Sequence, residues 1–256
     1  MKHNETVQTH QLEDVIELDG FKLFVKIMGE NRETPTVIMD AGYGDYSKAW
    51  TSIYPEIAKL TKVMVYDRAG LGKSEKSPNV RTSLEMVKEL KGLLNKLGVE
   101  PPYILVGHSF GGVNVRLYAS MFPGEAAGVV LVDSTPEDYK DRLLPTMPDK
   151  FQEAYHKQFI YEGTYDEFME SLNQVKTNRK HFGDVPLLVL SAGKKAFYSK
   201  ESQEIWHDMQ KELLDLSTKS ELIIAQKSGH YIQHDEPEYV VNAIKKIIGE
   251  SASKVK

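Results

Sequence analysis

The sequence predicts an α/β protein with a predominantly parallel central sheet and helices on both faces. Short apolar runs alternate with segments whose apolar residues recur at helical spacing, which is typical of parallel strands joined by crossover helices. The apolar runs are continuous, as expected for strands that are covered on both faces. With 256 residues, of which 41% are hydrophobic and 27% charged, the chain can bury a full core, and we expect a single domain over residues 1–256.

Two strands near the start are predicted to form a hairpin. Val15–Leu18 and Phe21–Val25 flank Asp19-Gly20, a dipeptide that favours the tight turns between antiparallel strands. After the hairpin, continuous Val, Ile and Leu runs predict six strands of the buried type. These runs cover residues 36–39, 62–66, 103–106, 128–132, 185–190 and 221–225.

Amphipathic helices are expected between these strands, because apolar residues recur there every three or four positions. The apolar stripes are Trp50, Ile53 and Ile57, then Leu84 to Leu97, and finally Val240 to Ile248. Gly98 is expected to cap the second helix at its C-terminal end. Asp235 is expected as the N-cap of the last helix, with Pro237 in its first turn.

Residues 136–184 interrupt the alternation, because they contain helical signal and no strand-like run. Thr164 and Glu167 form a capping box at the start of one helix in this segment. We therefore expect a helical cap inserted at the ligand-binding edge of the sheet. Its large apolar side chains are predicted to form a local core, and the same side chains can also wall a pocket: Phe151, Tyr155, Phe159, Phe168 and Met169.

The composition excludes several classes of function. The absence of cysteine excludes disulfides, thiolate metal sites and a cysteine nucleophile. A net charge of −5 argues against nucleic acid or anionic lipid as the main partner, because both bind concentrated positive charge. The polar start lacks the apolar core of a signal peptide, and no apolar run approaches the roughly 18 residues of a membrane span, so we expect a cytoplasmic protein. No spacing of His, Asp and Glu predicts a metal site, and no cofactor is expected.

The strongest chemical signal is Gly107-His108-Ser109-Phe110-Gly111, a G-x-S-x-G motif that directly follows a predicted strand and opens a helix. A serine on such a tight turn has a strained backbone, and the glycines on either side avoid collisions with the crossing chain. The N-terminus of the following helix favours the negative charge that develops during nucleophilic attack. These features predict that Ser109 is a nucleophile.

A serine hydroxyl needs a base, and His230 is the candidate. It lies in Ser228-Gly229-His230-Tyr231, after the last predicted strand and before the last helix. Among the other histidines, His108 belongs to the turn itself and its side chain is expected to point away from the serine. His234 is expected one helical turn too late to serve as the base.

Two backbone amides are expected to bind the oxyanion of the reaction. One is the amide of Phe110, directly after Ser109. The other is the amide of Tyr43, in the glycine-containing loop Asp40-Ala41-Gly42-Tyr43-Gly44 that follows the first parallel strand.

Taken together and in this order, these segments resemble the α/β-hydrolase superfamily over roughly Leu18 to Ile248. The matching segments are Asp40 to Gly44, Asp67-Arg68-Ala69-Gly70-Leu71-Gly72-Lys73-Ser74, the turn around Ser109, Leu131-Val132-Asp133-Ser134 and Gly229-His230. The resemblance implies a serine hydrolase that forms an acyl-enzyme, and a carboxylesterase acting on small-molecule esters is the expected member. A serine nucleophile argues against the dehalogenases and epoxide hydrolases of the superfamily, in which the resemblance implies aspartate.

The acid partner of His230 departs from the commonest pattern of the superfamily. Most members are expected to place it in the loop after the strand at 185–190, and here that loop, residues 191–198, contains no carboxylate. Asp133 ends the preceding strand, a position from which some members of the superfamily draw their acid. Asp133 is therefore the predicted acid, and Glu201 and Asp208 are the alternatives.

The resemblance leaves other functions open. An amidase or iminopeptidase, a lactonase and a carbon–carbon bond hydrolase use the same machinery. A different class, the ligand-binding receptors that have this fold without catalysis, is also an alternative. The intact pairing of Ser109 with His230 favours an enzyme over a receptor.

Overall fold

The computed structural model describes residues 11–30 and 33–252, the side chain of Ala252 excepted. The polar start on which the cytoplasmic expectation partly depends, Met1 to Glu5, lies outside these residues. Within them, eight strands form one sheet in the order β1-β2-β4-β3-β5-β6-β7-β8. The strands are β1 (Leu12–Leu18), β2 (Phe21–Met28), β3 (Thr36–Asp40), β4 (Val63–Tyr66), β5 (Tyr103–His108), β6 (Ala126–Val132), β7 (Leu187–Ala192) and β8 (Ser220–Ala225).

The first two strands form the predicted hairpin at one edge of the sheet. Asp19 and Gly20 both have positive φ angles, 49° and 92°, as a two-residue turn of the mirror-image type requires. β1 pairs antiparallel with β2, and β2 pairs antiparallel with β4. The strands β3 to β8 are parallel to one another. The predicted α/β architecture is therefore confirmed.

Helices cover both faces of the sheet, and of the described helices none is long and apolar enough to cross a bilayer. One hydrophobic cluster joins the sheet to α2, α3, α6 and α7, and a second joins its other face to α1 and α9. The helices are α1 (Tyr54–Ala58), α2 (Ser83–Leu97), α3 (Phe110–Met121), α4 (Tyr139–Arg142), α5 (Asp149–Lys157), α6 (Tyr165–Thr177), α7 (Lys200–Glu212), α8 (Ile232–Asp235) and α9 (Pro237–Ala252).

Two details of the helices differ from the sequence expectation. The stripe of Trp50, Ile53 and Ile57 is fully buried, but it belongs to a 3-10 turn and the short α1 instead of one helix. Pro55, which has no N–H group, occurs in the first turn of α1, where a helix tolerates it. Asp235 is not the N-cap of α9. It ends α8, and its carboxylate accepts a hydrogen bond from the Gly229 amide instead.

The other predicted helix ends agree with the structure. Gly98 follows α2 with a left-handed φ of 62°, and Pro237 is the first residue of α9. Thr164 and Glu167 form the capping box of α6. The helices α4, α5 and α6 all lie between β6 and β7, so the predicted insertion is helical.

Candidate active site

Ser109 lies at the turn between β5 and α3. Its backbone has φ 52° and ψ −115°, a region that non-glycine residues rarely adopt. A Cβ atom at Gly107 would lie 2.5 Å from the Gly111 oxygen, and one at Gly111 would lie 2.2 Å from the Asp40 oxygen. Only glycine fits these two positions, and the turn places Ser109 at the wall of a cavity.

Three elements bring Ser109, His230 and Asp133 together. His230, in the loop after β8, has its Nε2 2.9 Å from Ser109 Oγ and its Nδ1 2.6 Å from Asp133 Oδ2. Asp133 directly follows β6 and is fully buried. The two alternative acids, Glu201 and Asp208, are exposed on α7. Of the three candidate acids, it is Asp133 whose carboxylate contacts the imidazole.

The surroundings of this pair set its charge state. Burial alone would raise the pKa of Asp133, but the Lys195 ammonium and the His230 imidazole hold this pKa well below its usual range. Burial and the same ammonium lower the pKa of His230 from its ordinary value of 6.5, whereas Asp133 opposes this shift. At neutral pH the pair is therefore a carboxylate and a neutral imidazole. Nδ1–H then donates to Asp133, and Nε2 can accept the proton of the Ser109 hydroxyl.

The two residues expected to supply oxyanion donors lie beside each other. Tyr43 is in the loop after β3, and Phe110 is the first residue of α3. Gly111 packs against the backbone of Asp40, which holds this loop against the first turn of α3. The rings of Tyr43 and Phe110 are 6.0 Å apart in an edge-to-face arrangement. Both residues therefore lie beside the Ser109 turn.

The buried Arg68, which follows β4, fixes the loop after β3. Its guanidinium forms an ion pair with Asp40 and donates to the backbone oxygens of Ala41, at 2.6 Å, and Gly42, at 2.7 Å. The same guanidinium forms a second ion pair with Glu162, in the loop between α5 and α6. Arg68 thus joins the loop after β3 to the helical insertion through a paired, buried charge.

The insertion contacts the same loop directly. The Tyr43 hydroxyl donates to the Gly163 oxygen at 2.7 Å, and the Gly44 amide donates to the Glu162 carboxylate at 3.2 Å. We call the contacts among Arg68, Glu162, Tyr43 and Gly163 the cap latch. None of these contacts was predicted, because Arg68 and Glu162 are 94 positions apart and no local pattern connects them.

Two further side chains contact Asp133 and were also missed by the sequence analysis. Lys195, in the loop after β7, and Trp206, on α7, both donate hydrogen bonds to its carboxylate. One feature of the sequence could have pointed to Lys195: it follows the carboxyl end of β7, the parallel strand next to β6. Its neighbour Lys194 is exposed, and the sequence does not show which of the two lysines is buried.

A cavity of about 760 Å³ lies against Ser109 and His230. Four of the five apolar side chains expected to wall a pocket line this cavity: Phe151, Tyr155, Phe159 and Phe168. The fifth, Met169, packs against the hydrophobic core instead. Phe159 and Phe168 are also buried, so they belong both to the core and to the cavity wall. The wall is largely aromatic, and its rings are Tyr43, Tyr139, Phe151, Tyr155, Phe159, Phe168, Tyr198, Trp206 and Tyr231.

A mostly parallel sheet that carries a strained serine turn, with a histidine after its last strand, defines the α/β hydrolases as a class. A family model described as the alpha/beta hydrolase fold matches residues 35–163. The chain belongs to this family.

The chain is also similar to individual known proteins. The chain is 37% identical over 209 residues to the uncharacterized protein YqjL of Bacillus subtilis, covering 82% of this chain and 81% of that protein. It is 25% identical over 149 residues to a proline iminopeptidase of Lactobacillus helveticus, covering 54% and 50% of the two chains. A thermophilic esterase from Thermogutta terrifontis has a similar fold, with a TM-score of 0.65 and 20% identity over 94% of this chain and 99% of that chain.

Proposed function

We propose that this protein is a serine hydrolase that cleaves carboxylic esters through an acyl-enzyme. The observation that carries the proposal is the pair of contacts made by His230, 2.9 Å to Ser109 Oγ and 2.6 Å to Asp133 Oδ2, at the wall of a large cavity. A nucleophile, a base and a group that orients the base are the three parts of a serine hydrolase site. The structural similarity to an esterase and the family of the chain support this proposal.

Acylation of Ser109 is the first half of the proposed reaction. His230 Nε2 takes the hydroxyl proton while Ser109 Oγ bonds to the ester carbonyl carbon, and the carbonyl electron pair moves to the oxygen. The amides of Tyr43 and Phe110 donate to that oxyanion. When the carbonyl re-forms, the bond to the alcohol oxygen breaks, and the imidazolium gives its proton to the leaving alcohol. Asp133 stabilises the imidazolium in the interval.

Deacylation repeats these steps with water as the nucleophile. His230 takes a proton from the water as its oxygen bonds to the acyl carbon, and the same amides donate to the second oxyanion. Collapse breaks the bond to Ser109 Oγ, and the imidazolium returns its proton to that oxygen. The products are a carboxylic acid and the free enzyme, and no cofactor is needed.

The cavity supports a narrower proposal about the kind of ester. At about 760 Å³ it is in the range of sites that enclose a medium-sized organic molecule. Its aromatic wall favours a bulky apolar or aromatic group on one side of the scissile bond, because rings stack on rings at edge-to-face and offset geometries. We therefore propose that esters of this kind are hydrolysed with a higher kcat/KM than acetate esters of the same alcohol.

A fluorophosphonate probe and a set of nitrophenyl esters test the function. Wild-type protein should be labelled at Ser109 and should turn over the esters, whereas Ser109→Ala should lose labelling and at least about a thousandfold of kcat. Ser77→Ala, at a partly exposed serine between β4 and α2, is the matched control and should behave as wild type.

Two outcomes would contradict the ester assignment. Faster turnover of a proline nitroanilide than of any ester would favour an iminopeptidase, the activity named for the Lactobacillus helveticus relative. Saturable binding of esters with no turnover and no Ser109 labelling would favour a receptor.

A further inference from the structure

Lys195 occupies an unusual position for a lysine. It lies in the loop after β7, and only 8% of its side chain is exposed. Its Nζ is 2.7 Å from Asp133 Oδ2 and 3.2 Å from His230 Nδ1. The same ammonium lies 3.5 Å from the centre of the Trp206 ring, where a cation is attracted to the electron-rich face.

The Asp133 carboxylate accepts two hydrogen bonds at each oxygen. Oδ1 accepts from the Ala192 amide at 2.9 Å and from Trp206 Nε1 at 2.8 Å. Oδ2 accepts from His230 and Lys195. An ionised carboxylate has about four acceptor sites, so all of them are used. His230 and the Lys195 ammonium therefore donate to the same oxygen, Asp133 Oδ2.

This arrangement has a direct consequence for the protonation of His230. An ammonium group has no acceptor, so it adds no hydrogen bond to the protonated imidazole. It places a positive charge next to the ring, and that charge disfavours a second proton on the imidazole. The Asp133 carboxylate favours the protonated imidazole, and the Lys195 ammonium offsets part of that stabilisation.

The other groups around His230 do not replace this effect. Asp45, from the loop after β3, favours the protonated imidazole. The His108 ring, at the end of β5, lies 4.7 Å from the His230 ring, and its Nε2–H donates to the His230 backbone oxygen at 2.9 Å. Burial keeps the pKa of His108 well below 6.5, so this ring is neutral. The titratable groups that face the imidazole are Asp133, Lys195, Asp45, His108 and Tyr231.

We propose that Lys195 is a positioning residue that holds Asp133 ionised and keeps His230 neutral, and so competent as a base, in weakly acidic solution. This inference rests on the proposed function, because a base has a role only if Ser109 reacts. It predicts that catalysis persists to lower pH than it would with Asp133 and His230 alone.

The direct test is a titration of the His230 imidazole by nitrogen-15 NMR, with the signal assigned from its loss in His230→Gln. The pH profile of kcat/KM for a nitrophenyl ester is measured in parallel, because its acid limb reports the base of the free enzyme. Lys195→Met keeps the length of the side chain without its charge. Lys195→Arg keeps the charge, and Lys200→Met, at a side chain that is 93% exposed, is the matched control.

Wild-type His230 is expected to titrate below 6.5. In Lys195→Met both the titration and the acid limb should move up by about one pH unit, so that the rate at a pH well below both midpoints, relative to the alkaline plateau, falls about tenfold. Lys195→Arg should restore most of the wild-type profile, and Lys200→Met should not differ from wild type.

Superimposable titrations of wild type and Lys195→Met would overturn the proposal, even if kcat fell. If Lys195→Met does not fold, Lys195→Gln is measured in its place. A titration midpoint of His230 at or above pH 6.5 in the wild-type protein would also overturn the proposal, without any variant. The NMR titration needs no turnover. A protein that hydrolyses no ester would therefore contradict the proposed function while the Lys195 effect is still measured.

Discussion

Asp133 receives four hydrogen-bond donors and pairs with the buried Lys195, so the loss of its charge should lower turnover strongly and also cost some stability, while the fold is kept. In Asp133→Asn the side-chain shape is kept, but the amide no longer stabilises the imidazolium or fixes the proton on His230 Nδ1. We expect kcat/KM to fall about a thousandfold or more, as wrong-tautomer variants of serine proteases do. Ester kinetics measure this fall, and circular dichroism checks that the fold is kept.

The alternative acids provide the matched controls for this variant. Glu201 and Asp208 are exposed on α7, so Glu201→Gln and Asp208→Asn should hydrolyse esters at wild-type rates. A collapse of turnover in either control, together with near-normal turnover in Asp133→Asn, would show that the acid has been assigned to the wrong residue.

At the level of single residues, the sequence predicted the side chains that stand at strand ends. Ser109, Asp133 and His230 were proposed because each lies at, or within a few residues after, the carboxyl end of an apolar run, and the carboxyl ends of parallel strands meet at one edge. Lys195 was not found. Its side chain is buried because Asp133 and Trp206 face it from other elements, and that information is absent from its own neighbours in the chain.

The cap latch connects two elements, the insertion and the loop after β3. Glu162→Gln removes the charge that pairs with the buried Arg68 and weakens the acceptor of the Gly44 amide. We expect the free energy of unfolding to fall by about 2 kcal/mol and kcat to fall for all esters alike, because the loop that carries Tyr43 is less well fixed. Thermal denaturation and kinetics on two esters measure both effects.

Glu153→Gln is the control for the latch, since Glu153 is exposed on α5 in the same insertion. It should leave both quantities close to wild type. A Glu162→Gln protein that is destabilised but has a normal kcat would mean that the latch supports stability alone.

Among the aromatic side chains of the cavity wall, some should determine substrate preference and others should mainly stabilise the fold. Phe151 is partly exposed, so Phe151→Ala should change the preference between bulky and acetate esters with little change in melting temperature. Phe168 is buried, and Phe168→Ala should cost about 3–5 kcal/mol of stability. Met169→Ala, away from the cavity wall, should lower the melting temperature without changing the preference. Equal losses on both esters in Phe151→Ala would contradict this division.

At the level of elements, local patterns predicted the strands better than the helix ends. The hairpin was found because Asp19-Gly20 encodes its own turn. The single helix expected from Trp50 to Ile57 is instead a 3-10 turn followed by α1, which begins next to Pro55. Asp235 does not cap α9, because its carboxylate accepts a hydrogen bond from the Gly229 amide, a contact that depends on how α8 packs. Apolar periodicity reports which side chains are buried, but it does not report how many helices bury them.

For the whole molecule, the helix α9 on one face of the sheet fits closely against β6. A Cβ atom at Gly128 would lie 2.3 Å from Ile247 Cγ2, and Ile247 is fully buried. Gly128→Ala should therefore cost about 1–3 kcal/mol through overpacking, and Ile247→Ala about 2–5 kcal/mol through a cavity. The double variant should be more stable than Ile247→Ala alone, because the new methyl group fills part of that cavity.

Urea denaturation of the wild type, the two single variants and the double variant gives the coupling energy between positions 128 and 247. The kcat of each folded variant should equal that of the wild type, since both positions lie apart from the cavity wall. Additive losses of stability would show that the two side chains do not compete for the same space.

The hairpin at the start of the sheet also bears on how copies of this chain meet one another. β1 ends the strand order, so one side of its backbone is paired with no strand of residues 11–30 and 33–252, and the exposed Leu12 and Val15 would favour pairing with another copy there. Three of its seven residues are acidic; Glu13 is paired with Lys26 and Lys73 of the same chain, and Asp14 and Glu17 are the other two. Two copies aligned edge to edge would bring Asp14 and Glu17 of both copies close together, and like charges on adjoining strands repel. The acidic edge therefore acts against aggregation, a protection that the open end of a sheet otherwise lacks.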